Sequence, residues 1–199
     1  LNLTSKLVDV VINENIDILH VHYAIPHASA AIQAKQILET YGIKIPIVTT
    51  LHGTDITLLG KDKSFKPVIE YAINKSDAIT SVSLNLKKET LKHFRIENEI
   101  EVIPNFIDMH LYSNKSNDNL RNKIASKEEK ILIHISNFRK VKRIEDVILI
   151  YNKVQKKVPA KLLMIGDGPE RLKAERLCRD LGIWNKVQFM GKLKSVEQF

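Results

Sequence analysis

Cysteine is almost missing from this chain. Cys178 is the only one in 199 residues, which excludes an intrachain disulfide and suits a reducing, cytoplasmic compartment. In such a compartment the Asn-x-Ser/Thr matches at Asn2, Asn74 and Asn114 are chance rather than glycosylation sites. Long apolar runs are missing too. None approaches the ~18 residues a membrane span needs, and the first residues, Leu1 to Lys6, lack the basic-then-apolar order of a secretory signal. There is no internal repeat and no low-complexity tract. The chain does not start with Met, and it reads as a piece of something longer.

What is present is ordinary globular composition, 44% hydrophobic and 27% charged. The formal net charge of +8 raises nucleic acid or an anionic membrane as a partner, so its distribution matters. Residues 1–109 hold 11 Lys+Arg against 13 Asp+Glu, and residues 110–199 hold 20 against 10. The halves therefore carry −2 and +10, and phosphate is to be sought in the second. A nucleic-acid binder would interleave stacking aromatics with its basic residues. Only Phe138 does so here, and neither nucleic acid nor membrane is expected as a partner.

Short β-rich runs recur at Asp17 to His22, Ile45 to Leu51, Ala78 to Val82 and Ile100 to Ile103. The intervals show helical spacing, as in Leu3, Leu7, Val10 and Val11, or Ala28, Ala31, Ile32, Lys35 and Leu38. Alternation of this kind implies right-handed βαβ units and a parallel sheet. The pattern stops after Pro104, and the polar run Ser113 to Asn119 reads as surface loop at a domain junction. It restarts at Lys130 to Ser136, Ala160 to Gly166 and Lys186 to Met190, with helices near 143–157 and 169–181. In the second of these, Cys178 shares an apolar face with Ala174, Leu177 and Leu181. The fold class is α/β, two Rossmann-like parallel-sheet halves over 1–109 and 110–199. Each is incomplete against the ~six strands of a full nucleotide-binding sheet.

In open parallel sheets the working residues lie just past the carboxyl ends of strands. Those positions are polar here: Tyr23 after His20-Val21-His22, Thr50 with His52-Gly53-Thr54-Asp55, Ser81 and Ser83, Asn105, Asn137 to Arg143, and Gly166-Asp167-Gly168-Pro169. Arg139, Lys140, Lys142 and Arg143 stand between a strand and the following helix, where backbone N–H groups and the helix dipole favour an anion. A diphosphate suits that site, although a solvated basic turn would look the same on charge alone. Gly166 would end a strand, Asp167 or Gly168 would cap the next helix and Pro169 would open it. One βα unit separates this motif from the basic turn, so both fall on one sheet edge.

Two alternatives attach to the first half. His20 and His22 share a strand face, the spacing of metal hydrolases, and would need His52 and Asp55 as further ligands. No later ligand cluster supports this, and no metal is expected. Thr54 and Asp55 would equally serve an ordinary capping turn.

Five segments, taken in order, carry a family resemblance: Asp17 to His22, Leu51 to Asp55, Val102 to Asp108, Ile165 to Pro169 and Val187 to Gly191. Together they resemble the family 4 retaining glycosyltransferases over nearly the whole chain. The resemblance implies the GT-B arrangement, with the acceptor mainly on the first Rossmann-like domain and the nucleotide sugar mainly on the second. His20 to Ala28 and Ile133 to Arg143 are similar to the branch of that family that glycosylates L-malate on the way to bacillithiol. The second stretch departs from the common Gly-Arg-x-x-x-x-Lys pattern. Lys142 falls on the family Lys, Asn137 occupies the Arg position, and Arg139 is the candidate replacement.

The implied reaction moves N-acetylglucosamine from UDP-N-acetylglucosamine to the hydroxyl of L-malate with retention, using no covalent nucleophile, metal or cofactor. A related transferase with another sugar or a lipid-linked acceptor is one alternative, a non-catalytic nucleic-acid-binding protein is the alternative of another class, and self-association is left open. By the same resemblance His52, Lys142 and Arg139 are catalytic. Asn137, Arg139, Lys142, Gly166, Asp167 and Gly191 hold the donor, and Tyr23, Thr50, His52, Ser81, Ser83 and Asn105 border the acceptor. The family's N-terminal Gly-rich loop does not occur in these 199 residues and its donor-side Glu-x7-Glu segment does not occur within residues 110–199, so the piece alone is expected to be inactive.

Overall fold

The structure is a computed structural model that describes residues 1–58, 60, 62–112 and 117–199. Contacts divide the chain into two compact units, Leu1–Phe106 and Ile107–Phe199.

In the first unit α1 (Asn2–Asn13), β1 (Leu19–His22), α2 (Ser29–Thr40), β2 (Ile47–Leu51), α3 (Lys66–Asn74), β3 (Ala78–Ser81), α4 (Leu84–His93) and β4 (Ile100–Val102) alternate. The four strands form one parallel sheet in the order β1-β2-β3-β4. Its core is aliphatic apart from Phe94, with Ile47, Leu51, Ile69, Ile73 and Ile79 against Ala31, Leu38 and that ring. The buried face of α1 is Thr4 and Val11 with Leu7 and Val8 partly covered, so it is rotated from the expected stripe. Leu3 stands 42% exposed. Thr4 explains the rotation, because its hydroxyl donates to Gln33 on α2 (3.1 Å) and turns that side of α1 inward. On α2 Ala31, Ile32, Ala34 and Leu38 are buried, while Lys35 reaches out to Asp77 at 2.8 Å.

The second unit contains α5 (Asp118–Ile124), β5 (Lys130–Ile135), α6 (Ile144–Val154), β6 (Ala160–Ile165), α7 (Arg171–Asp180) and β7 (Val187–Gly191). Its three strands are again parallel, in the order β5-β6-β7. Residues 113–116 of the polar run lie outside the described residues. The remainder is not loop: the Asn117 side chain accepts from the Leu120 N–H (3.0 Å) and caps α5, which Asp118 and Asn119 open. Cys178 is buried beside Ala174 as its helical spacing predicts, and burial pushes its thiol up to about 11.

Candidate functional site

In the first unit β1 and β2 pair in parallel with His20 beside Val48 and His22 beside Thr50. This register places the residues that follow both strands on one edge. His20 Nε2 lies 2.8 Å from Thr50 Oγ1, which in turn meets Thr80 Oγ1 at 2.7 Å. One step further along, His22 Nδ1 meets His52 Nε2 at 2.7 Å, hydrogen-bond distance. His27 Nδ1–H donates to the His22 carbonyl. The Tyr23 ring stands 5.1 Å from His52 and 6.0 Å from His27, centroid to centroid. Partial desolvation among these rings, followed by repulsion from His20, His52 and His27, holds His22 below the usual imidazole range.

Backbone geometry builds this cluster. Tyr23 has φ +76° and Gly53 has φ +111°, both in the left-handed region that a side chain other than hydrogen resists. Each turns the chain within two residues of a strand end. Asp55 joins the two reversals: its Oδ2 accepts from the Ala24 N–H (2.7 Å) and its Oδ1 from the Gly53 N–H (3.2 Å). It is fully buried, and burial pushes its carboxyl up while those N–H groups pull it down. An Asp55 turned inward in this way is not available to His20, His22 and His52. Among the described residues no group of three or more His, Cys, Asp or Glu side chains is arranged to hold a metal ion.

The other acceptor-side residues fall into place differently. Thr50 is buried within the His20–Thr80 chain. Ser81 is buried and its hydroxyl donates to the Ser83 carbonyl (3.2 Å), whereas the Ser83 hydroxyl caps α4 by accepting from Leu86 N–H (3.1 Å). Both hydroxyls thus have structural partners. Asn105 is exposed beyond β4.

In the second unit the loops after β5 and β6 are bound to each other. Phe138 N–H donates to the Asp167 carbonyl and Glu170 N–H to the Phe138 carbonyl, both at 2.9 Å. Gly166 (φ +125°) and Gly168 (φ +156°) permit this, since a Cβ at Gly166 would lie 1.8 Å from the Ser136 carbonyl oxygen. The expected capping by Asp167 or Gly168 is not what they do. Glu170 precedes α7 without a side-chain cap, and Asp167 accepts from its neighbour Gly168 N–H (2.8 Å) and from Arg171 (3.4 Å). Gly191 ends β7 alongside, its carbonyl accepting from Gly166 N–H at 2.8 Å.

Asn137, Arg139 and Lys142 are exposed on the same edge. Lys140 to Lys142 form one 3-10 turn, and Arg143, in the left-handed conformation at φ +49°, leads into α6. Arg143 is paired with Asp146, whereas Arg139, Lys140 and Lys142 make no ion pair among the described residues. Among the described residues, three cations therefore stand without an ion pair at the start of a helix. Phe138 is fully buried against Phe189 and the β5 side of the core, so the basic turn offers a nucleic-acid base no stacking face.

Reading by sequence passed over four residues that the structure puts at these edges: His27, Asp55 in its bridging role, His134 and Arg171. His27 stood inside the stretch from His20 to Ala28 and could have been found as a third imidazole after one strand. Half-buried His134 hydrogen-bonds Ser136 Oγ at 2.8 Å, and burial and then the charge of Lys142 hold it below the usual range. Arg171 ties Asp167 to Glu175 and lies 6.0 Å over the Phe189 ring.

Two family models match the chain end to end: Glycosyltransferase Family 4 over residues 1–111 and Glycosyl transferases group 1 over residues 116–199. The chain belongs to Glycosyltransferase Family 4. Among its relatives, the N-acetyl-alpha-D-glucosaminyl L-malate synthase of Bacillus anthracis is 47% identical over 199 residues, covering 100% of this chain and 51% of that protein. An uncharacterized glycosyltransferase of Methanocaldococcus jannaschii is 30% identical over 187 residues, 88% of this chain and 46% of its own length. The chain thus spans about half the length of these family members. Among solved structures, Anabaena HepE in complex with UDP and glucose superposes with a TM-score of 0.76 at 20% identity, over 99% of this chain and 53% of that one. The sucrose-phosphate synthase of Thermosynechococcus elongatus does so at 0.73 and 14%, over 96% and 49%. These neighbours share the GT-B fold class with the two parallel-sheet units of this Family 4 chain. No helix among the described residues is long and apolar enough to cross a membrane.

Proposed function

We propose that the protein containing this chain transfers N-acetylglucosamine from UDP-N-acetylglucosamine to the hydroxyl of L-malate. The observation that carries the reading is the 47% identity, sustained over all 199 residues, to a relative named for that product. The site chemistry is compatible with it. Arg139 and Lys142 are cations with no ion-pair partner among the described residues, set where a strand hands over to a helix, and they would neutralise the leaving diphosphate before and during its departure. Asn137, Gly166, Asp167 and Gly191 would frame the donor on the same edge.

On the first unit Tyr23, Thr50 and His52, with Ser81, Ser83 and Asn105 behind them, would border a small acceptor. Retention without a covalent nucleophile requires the hydroxyl to attack from the face that the diphosphate leaves. His52 would stand beside the sugar there. The reaction so written calls for no metal or prosthetic group.

The test is an acceptor comparison. The protein expressed from its full reading frame is supplied with UDP-N-acetylglucosamine and, separately, malate, inositol phosphate or a glycerolipid, and UDP release is followed. Malate should be used best by a wide margin. Equal or better use of another acceptor would leave a Family 4 transferase with a different acceptor and end the malate reading.

A further inference from the structure

We infer that Asp55 is a positioning residue for the acceptor side of the site, its one carboxylate setting the spacing between Tyr23 and His52. The inference rests on the reading above, in which those two rings border the acceptor. Ala24 is the residue after Tyr23 and Gly53 is the residue after His52. The two Asp55 oxygens take these two N–H groups, at 2.7 and 3.2 Å. Each bond thus fixes the peptide that leaves a site residue, and both converge on a single rigid group with no exposed surface. The peptides most in need of restraint are those bonded, because Tyr23 and Gly53 are held at φ +76° and +111°. The two rings are left 5.1 Å apart.

An ordinary helix cap would not be built this way. A cap satisfies N–H groups of its own helix, whereas Asp55 reaches back across 31 residues to the loop of another strand. An amide in its place would offer one oxygen and one NH2 group to two N–H donors, so one N–H would face another donor in a buried site. The loops could then relax independently, and the rings would separate. Asp55 touches no reacting atom; it acts through the two residues it fixes.

Asp55→Asn in the protein expressed from its full reading frame tests this. The malate KM should rise about tenfold or more, the scale on which small misplacements act, while the KM for UDP-N-acetylglucosamine and the calorimetric affinity for UDP stay within about twofold. Asp55→Glu, which keeps two acceptor oxygens, should recover part of the loss. A malate KM unchanged in Asp55→Asn overturns the inference, and so does a parallel fall in UDP affinity, which would mark a general loss of structure.

A second readout does not depend on the acceptor. Nuclear Overhauser contacts between the Tyr23 and His52 rings should be present in the wild type and lost in Asp55→Asn; their persistence in the variant would overturn the inference. Should wild type leave malate untouched while those contacts behave as stated, the malate reading fails and the positioning role stands. If Asp55→Asn does not fold, amide exchange on the wild type decides. Ala24 and Gly53 N–H should be protected and titrate together in acid, and rapid exchange of either would refute the bridge.

Discussion

Gly168 lies against the backbone of Phe138 so closely that a Cβ on it would stand 2.7 Å from the Phe138 carbonyl oxygen and 2.9 Å from its nitrogen. That contact joins the loop carrying the basic turn to the loop after β6. Gly168→Ala must both occupy this space and adopt φ +156°, and should destabilise the second unit by about 2–3 kcal/mol, the scale of combined backbone strain and overpacking. Chemical denaturation followed by Trp184 fluorescence measures it. Affinity for UDP should fall as well, because Asn137 and Arg139 flank Phe138. A stable variant with normal UDP affinity would show that the two loops are not coupled.

Lys142→Ala should lower turnover of the protein expressed from its full reading frame by about 100-fold or more, the cost of removing one preorganised partner of transition-state charge. Arg139→Ala should act in the same direction. Single-turnover assay at saturating donor separates this from weak binding. Near-normal turnover without Lys142 would make the turn merely a solvated basic surface.

His134 reports on that same lysine. Burial and the Lys142 charge both disfavour its protonated form, so NMR titration should place its pKa below 6.5, and Lys142→Ala should raise it. The stability linkage has a definite sign. A histidine whose folded pKa is depressed is neutral in both states above the unfolded value near 6.5, so its contribution is fully present there. It is lost as pH falls from 6.5 toward the folded pKa, where the unfolded chain binds the proton first. Thermal melts should therefore fall below pH 6.5, less so in His134→Gln. An unchanged His134 titration in the lysine variant would place Lys142 elsewhere.

Tyr23→Phe removes one hydroxyl from the acceptor side while leaving the ring that packs near His52 and His27. The malate KM should rise about tenfold to 150-fold, as for loss of one hydrogen bond to a charged group, with the donor KM unchanged. An unaltered malate KM would show that this side chain does not bind the acceptor.

Strand and helix alternation was legible in the sequence because burial against a sheet imposes it residue by residue. All seven apolar runs became parallel strands, and Cys178 fell on its predicted face. Local spacing could not settle which side of α1 turned inward, since the Thr4 to Gln33 bond depends on where α2 lies. The polar stretch after Ser116 misled for a similar reason: Asn and Asp serve loops and helix starts alike, and only Asn117 meeting the Leu120 N–H distinguishes them.

The chemistry divides along the same line. Composition and order determined that polar and basic residues follow the strands, because strand ends are where a parallel sheet leaves side chains unburied. Tertiary structure alone decided that His22 meets His52 at hydrogen-bond distance, that Phe138 is sealed in the core and that Asp55 reaches back 31 residues to bridge its own loop to the one after β1. These are distances between segments remote in the chain. They are fixed by strand register and by left-handed backbone at Tyr23 and Gly53, which no short window of residues encodes.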